Sequence, residues 1–173
     1  MQNRPDEQII KFLKKRHILS LCVSCDAKLL DLDDSAFKNA GLCAPNPAQN
    51  IITHTNSCFY AYCEDLNALI IASSPRSAHI QIALQNPKIC LNIALDTKII
   101  ACIQGIQARA DFFALSSLNQ NSQKLCARAY FVRYPYALSL NPTLYILKLT
   151  WLKYTNNCLL YTSDAADERS SVD

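Results

Sequence analysis

Residues 58–74, CFYAYCEDLNALIIASS, carry the reading on which the fold turns. Cys58–Cys63 interleaves aromatic and small residues, which suits a pleated strand packed on a core. Glu64-Asp65-Leu66-Asn67 is a polar turn, and Ala68–Ala72 is a short apolar run. Two such runs joined by a short turn read as a β-hairpin. Ser73-Ser74-Pro75-Arg76-Ser77-Ala78-His79 comes next. Ser74 suits an N-cap and Pro75 the first helical position. The pattern predicts a helix from Pro75 to about Gln85, stopped by Asn86-Pro87.

Upstream, Asp6–Arg16 reads as a short helix with Ile9, Ile10 and Leu13 on one stripe. Lys11, Lys14, Lys15 and Arg16 crowd its end, where cations suit the helix dipole. They read as a solvated basic face, with a membrane or RNA contact as the alternative. His17–Cys25 is a strand. Asp26–Ser57 is long and polar, with Pro45 and Pro47, and reads as an extended loop with room for a strand near Leu29–Leu32. Its Asp31-Leu32-Asp33-Asp34 lacks the glycine and closing glutamate of an EF-hand loop.

Downstream, Ile89–Leu95 and Lys98–Phe112 read as strands joined at Asp96-Thr97. Gly105 interrupts the second, which signals a bulge, a bend or a close backbone approach. Ser116–Phe131 reads as a helix. Thr143–Tyr154 is a last strand, with Tyr145, Leu147, Leu149 and Trp151 on one face. Helix, strands, helix, strands, helix, strand is an α+β order. Short turns between consecutive strands favour a mostly antiparallel sheet closed as a barrel.

The chain has 173 residues, with a formal net charge of +3. Its end, CLLYTSDAADERSSVD (residues 158–173), resembles the in-frame translation of a transposon adapter used in sequencing libraries, and is read as a non-native tail. Without it Lys+Arg is 16 and Asp+Glu is 10, a net charge of +6. That is mildly basic and is no nucleic-acid signature by itself. Residues 1–157 are expected to form one domain, with a loop insert at about 31–57.

Composition excludes several classes. The chain has two glycines, Gly41 and Gly105. Walker loops, dinucleotide-binding GxGxxG turns and GxSxG nucleophile elbows need more. No apolar run reaches the roughly 18 residues of a membrane-spanning helix. The start lacks the order of a signal peptide, so the expected compartment is the cytoplasm. Eight cysteines precede the tail: Cys22, Cys25, Cys43, Cys58, Cys63, Cys90, Cys102 and Cys126. In a reducing compartment they are small buried hydrophobes rather than disulfides. Cys22 and Cys25 lie three apart on a strand and so face opposite ways, which excludes a shared metal.

The ordered set CFYAYCEDLNALIIASS, RSAHIQIALQNPKICLNIAL and IQGIQARADF resembles the pyridoxamine 5'-phosphate oxidase-like FMN-binding split barrels. Within them the chain is most similar to a small uncharacterised bacterial subgroup. LKKRHILSLCVSC, ARAYFVRYPYA and YILKLTWLKYTNN fit the same subgroup, so the resemblance covers most of residues 10–157. The insert at 31–57 is longer than that class leads one to expect, and the subgroup continues past Asn157 through a short end.

The resemblance implies an FMN-binding split barrel, an FMN-dependent oxidoreductase activity of unidentified substrate, and a homodimer with flavin at the subunit interface. At Ser73, Ser74, Arg76 and Ser77 the residues themselves suggest a phosphate anchor, because a helix N-terminus offers free N–H groups, to which hydroxyls and a guanidinium add donors. In the resembled subgroup this turn carries a basic, a hydroxyl, a second basic and a histidine residue. Arg76, Ser77 and His79 match the first, second and fourth, and Ala78 departs from the third. The class also implies flavin contacts from residues such as Lys98 and Gln104. Tyr60 and Tyr62 could stack on the flavin ring, or belong to the core.

No acid–base pair or activated nucleophile is evident, which agrees with chemistry carried by a cofactor. Two other readings stand beside the oxidoreductase. One is a non-catalytic flavin- or haem-binding module on the same fold. The other is an interaction protein whose basic N-terminal helix meets nucleic acid or membrane.

Overall fold

A computed structural model describes residues 5–30 and 50–157. The adapter-like tail and most of the 31–57 insert lie outside the described residues. In chain order the elements are α1 (Glu7–Lys15), β1 (Ile18–Asp26), β2 (Ile51–Cys63), β3 (Ala68–Ala72), α2 (Ala78–Gln85), β4 (Lys88–Ala94), β5 (Gln104–Ala114), α3 (Gln120–Arg133) and β6 (Leu144–Asn156). Six antiparallel strands close a barrel in the order β1-β2-β3-β6-β5-β4. This is the α+β split barrel expected from the sequence.

The barrel has two apolar layers. Leu19, Leu21 and Val23 of β1 alternate inward and meet Ile52, Tyr60, Leu69, Ile71, Ile93, Ile106 and Leu147 in the interior. Outside β2, β3 and β6, the helix α3 covers Ala61, Cys63, Ala68, Ile70, Leu144 and Ile146 with Cys126 and Tyr130. Tyr60–Cys63 and the facing β3 are therefore buried on both faces, which is why β3 reads as an unbroken apolar run rather than an alternating one. Both Tyr60 and Tyr62 are buried. Tyr60 donates to Leu13 O at 2.8 Å and Tyr62 to Asn67 Oδ1 at 3.0 Å, so neither ring is presented for stacking on a ligand at the surface.

Several sequence expectations shift. The strand expected from Cys58 begins at Ile51, and β2 pairs with the whole of β1, from Ile18↔Phe59 to Asp26↔Ile51. Ile51-Ile52-Thr53-His54-Thr55 is rich in β-branched residues that alternate in exposure, a strand signal masked by the polar residues facing out. Ala27–Leu29 is a single 3₁₀ turn, and the strand expected near Leu29–Leu32 lies partly outside the described residues.

The helix expected from Pro75 starts at Ala78 with Ser77 as N-cap. Ser74-Pro75-Arg76 instead forms a turn, with Ser77 N–H bonded to Ser74 O at 3.0 Å. The helix expected from Ser116 starts at Gln120, where the Asn119 side chain accepts from Ser122 N–H at 2.9 Å.

Lys98 does not start a strand. It lies in an exposed connection, and β5 begins at Gln104. A register shift in the β5–β6 pairing sets Arg109 opposite Trp151 and Ala110 opposite Leu149. The extra residue, Thr150, reverses the alternation. Tyr145, Leu147 and Leu149 therefore face the interior while Trp151 turns out, 45 % exposed. Of the options at Gly105, the structure shows close approach. A Cβ there would stand 3.2 Å from the Ile93 carbonyl oxygen of β4.

Candidate functional site

The end of β3, the turn after it and the start of α2 bring Ser73, Ser77 and His79 together. Ser73 N–H bonds to Thr143 O at 3.1 Å, which fixes the exit from the sheet beside β6. Ser73 Oγ then lies 2.9 Å from His79 Nε2 and 3.2 Å from Ser77 Oγ. Ser77 caps α2 by position and makes no side-chain cap hydrogen bond. Its hydroxyl points into this cluster, and the first-turn N–H groups of Ala78 and His79 have no carbonyl one turn earlier to bond.

His79 is only 6 % exposed. Burial, followed by the neighbouring His54, holds its imidazolium below the ordinary histidine range, so the ring is kept neutral. The two imidazoles are stacked, 6.5 Å between centroids and 13° from parallel. Asn56 Nδ2 reaches His79 Nε2 at 3.5 Å and donates to Cys58 Sγ at 3.2 Å. Burial raises the Cys58 thiol above its usual value, and the Asn56 hydrogen bond opposes that rise.

Ser74 and Arg76 are exposed in the turn, with Arg76 N–H donating to Ser74 Oγ at 3.2 Å. The remaining two predicted residues lie elsewhere. Gln104 Nε2 donates to Asn156 Oδ1 at 3.3 Å, at the opposite end of β6 from Leu144 and the Thr143 carbonyl that holds Ser73. Lys98 lies six residues before Gln104, in the exposed connection. A single chain thus gathers Ser73, Ser77 and His79, with Ser74 and Arg76 beside them, and does not bring Gln104 to that turn.

His54, Asn56 and Cys58 were missed. They sit two apart on the inward face of β2, and reading 51–57 as a strand would have aligned them.

A second feature runs across the outside of the barrel. Thr55↔Cys22, Cys22↔Cys90, Cys90↔Arg109 and Arg109↔Trp151 are successive cross-strand partners. These five residues form one row along an open groove of about 420 Å³. The Arg109 guanidinium lies 5.3 Å from the centre of the Trp151 ring. Cys25, by contrast, faces the core, so the Cys22-x-x-Cys25 spacing places the two thiols on opposite faces. Among the described residues no three His, Cys, Asp or Glu side chains converge as a metal cage.

No family model matches the chain. A UPF0306 protein of Campylobacter jejuni is 33 % identical over 155 residues, covering 89 % of this chain and 91 % of that one. Solved structures share the fold at low identity. HutZ, the haem storage protein of Vibrio cholerae, superposes with a TM-score of 0.58 at 11 % identity, covering 87 % of this chain and 94 % of that one. An FAD-binding protein of Mesorhizobium loti gives 0.54 at 10 %, covering 85 % and 89 %. A candidate pyridoxamine 5'-phosphate oxidase of Listeria innocua gives 0.53 at 9 %, covering 87 % and 97 %. Among the described residues no helix is long and apolar enough to cross a membrane.

Proposed function

The chain belongs to the UPF0306 family, and from that premise we propose that it binds FMN by its phosphate at the Ser73–His79 turn and acts as an FMN-dependent oxidoreductase. The observation that carries this reading is the convergence of Ser73 Oγ, Ser77 Oγ and His79 Nε2 at the N-terminus of α2. The donor set fits a phosphate. Ser73 Oγ is held between His79 Nε2 and Ser77 Oγ, which fixes its hydroxyl at the turn where the anion would sit. Ser77 and the first-turn N–H groups add neutral donors, and the positive end of the helix favours negative charge. Arg76 supplies the guanidinium, since Ala78 offers no charge.

A flavin, when bound, supplies the two-electron redox chemistry. The chain's part is to hold the phosphate and to keep His79 neutral. Lys98 and Gln104 retain their proposed flavin contacts only where a second subunit carries them to the turn, and a homodimer is part of this proposal. Sedimentation velocity tests it, a monomer at all concentrations being the contrary result.

Titration with FMN, followed by flavin fluorescence, tests the anchor. Arg76→Ala is expected to weaken binding at least about tenfold, the loss of one charge-assisted hydrogen bond of roughly 1.5 kcal/mol. Unchanged affinity would remove the anchor. Bleaching of the bound flavin by NADPH would support the oxidoreductase, and a colourless protein that ignores FMN would sink the flavin reading. The second reading is a haem-binding module without turnover. The parallel His54–His79 pair and the likeness to a haem storage protein favour it. A Soret band on adding haemin, lost in His54→Ala, would select it.

A further inference from the structure

The row of residues on the outer groove contains a feature that flavin binding does not use. Cys22 of β1 and Cys90 of β4 are direct cross-strand partners. Directly opposed side chains in an antiparallel pair point to the same face. Their neighbours Leu21 and Leu91 pair on the inner face and are buried. The two thiols therefore stand together on the outer face, Cys22 half-buried and Cys90 exposed.

Backbone direction fixes their separation. Tyr60 N–H bonds to His17 O at 3.0 Å and Ala27 N–H to Asn50 O at 2.8 Å. Odd-numbered residues along β1 thus turn their peptide groups to β2, and even-numbered residues turn theirs to β4. Asn86 Nδ2, just before β4, accordingly donates to Ser24 O at 2.9 Å. Cys22 and Cys90 therefore occupy a hydrogen-bonded position, with Cα atoms about 5.5 Å apart.

That spacing decides the chemistry. Opposed Cβ atoms lie about 4.5–5.5 Å apart, with hydrogen-bonded pairs at the wider end. An unstrained disulfide needs roughly 3.5–4.5 Å. A direct S–S bond at this position is strained, whereas a soft atom inserted between the sulfurs relieves the strain. Two sulfurs bonded to one centre at about 2.3 Å each stand roughly 3.3 Å apart at a right angle and about 4.6 Å apart when linear, in either case well beyond the ~2.05 Å of a disulfide.

We propose that Cys22 and Cys90 form a surface dithiol that chelates a soft, thiophilic centre content with two sulfur ligands, copper(I) or an organic arsenic(III) compound. No third His, Cys, Asp or Glu converges there among the described residues, which matches a centre of low coordination number. With an arsenous oxide, two S–H groups and one As=O become two As–S bonds and one water, with no change of oxidation state. With copper(I), two thiols lose their protons to solvent and form two Cu–S bonds. Among the described residues Cys63 and Cys126 also pair through their side chains, but they lie buried beneath α3 and are closed to such reagents in the folded protein.

The test uses the full chain with phenylarsine oxide in excess 2-mercaptoethanol, which strips single-thiol adducts and spares chelates. Peptide mapping after alkylation reads the sites. Stoichiometric protection of Cys22 and Cys90 together, released by 2,3-dimercaptopropanol, is expected. Cys22→Ser and Cys90→Ser, near-isosteric changes on the outer face, should each abolish it while circular dichroism shows the fold kept. Anaerobic copper(I) forms the second arm, read by competition with a chromogenic chelator. Protection from either probe supports the site and assigns its centre. Both thiols alkylating freely in both arms, or single variants protecting as well as the parent, would overturn it.

Discussion

Arg133 Nη1, at the end of α3, donates to Lys14 O at 2.7 Å, so one helix caps another 119 residues earlier. Arg133 Nη2 donates to Arg16 O and approaches His17 Nδ1 at 3.1 Å. The guanidinium lies 5.7 Å from the ring centres of both Tyr60 and Tyr134. The last carbonyls of α1, which no helical N–H can reach, are thus held by a distant side chain. Arg133→Ala should cost about 2–4 kcal/mol, since charge-assisted bonds and two ring contacts go together. Arg133→Lys should recover only part, for lack of the planar fork. Urea unfolding of both variants checks this, and a loss below ~1 kcal/mol would contradict it.

Tyr60 joins the same junction from the barrel side, through its 2.8 Å bond to Leu13 O. Burial pushes its phenol above the ordinary range, so it stays protonated and donating. Tyr60→Phe keeps the packing and leaves a buried carbonyl unpaired, for a cost of about 1–3 kcal/mol. Thermal unfolding with the fold otherwise kept is the expected result, and unchanged stability the contrary one.

His79 makes stability depend on pH. Its folded value lies below the ordinary 6.5, whereas the unfolded chain titrates near 6.5. Between those values the unfolded state binds the extra proton, so stability rises with pH there. The contribution is complete above about pH 6.5 and is lost progressively on acidification towards the folded value. Chemical unfolding from pH 7.5 to 5 should show this slope, and His79→Gln should flatten it. A parent and variant with parallel profiles would refute the assignment.

Gly105→Ala should destabilise by about 1–2 kcal/mol. The added methyl meets a carbonyl of the paired strand at 3.2 Å. Ile93 and Ile106 are direct partners there, so the backbone has little room to yield, and overpacking outweighs the entropy gained by losing a glycine. A stability gain in thermal unfolding would show that the ladder does yield.

The sequence by itself determined the hairpin from Cys58 to Ala72, the antiparallel α+β order, the opposed facing of Cys22 and Cys25, and the presence of a hydroxyl-rich turn before a helix. Each depends on periodicity or turn chemistry within a few residues. The sequence misjudged the start of α2, because Ser74-Pro75 is an equally good local cap, and the face of Trp151, because one bulged residue reverses a strand's alternation. It hid the first half of β2 behind outward-facing polar residues. Only the tertiary structure decided that His54 stacks on His79, that Arg133 caps α1, and that Cys22 stands opposite Cys90. These relations link residues 25 to 119 positions apart, and they follow from strand register and barrel closure, which no local pattern encodes.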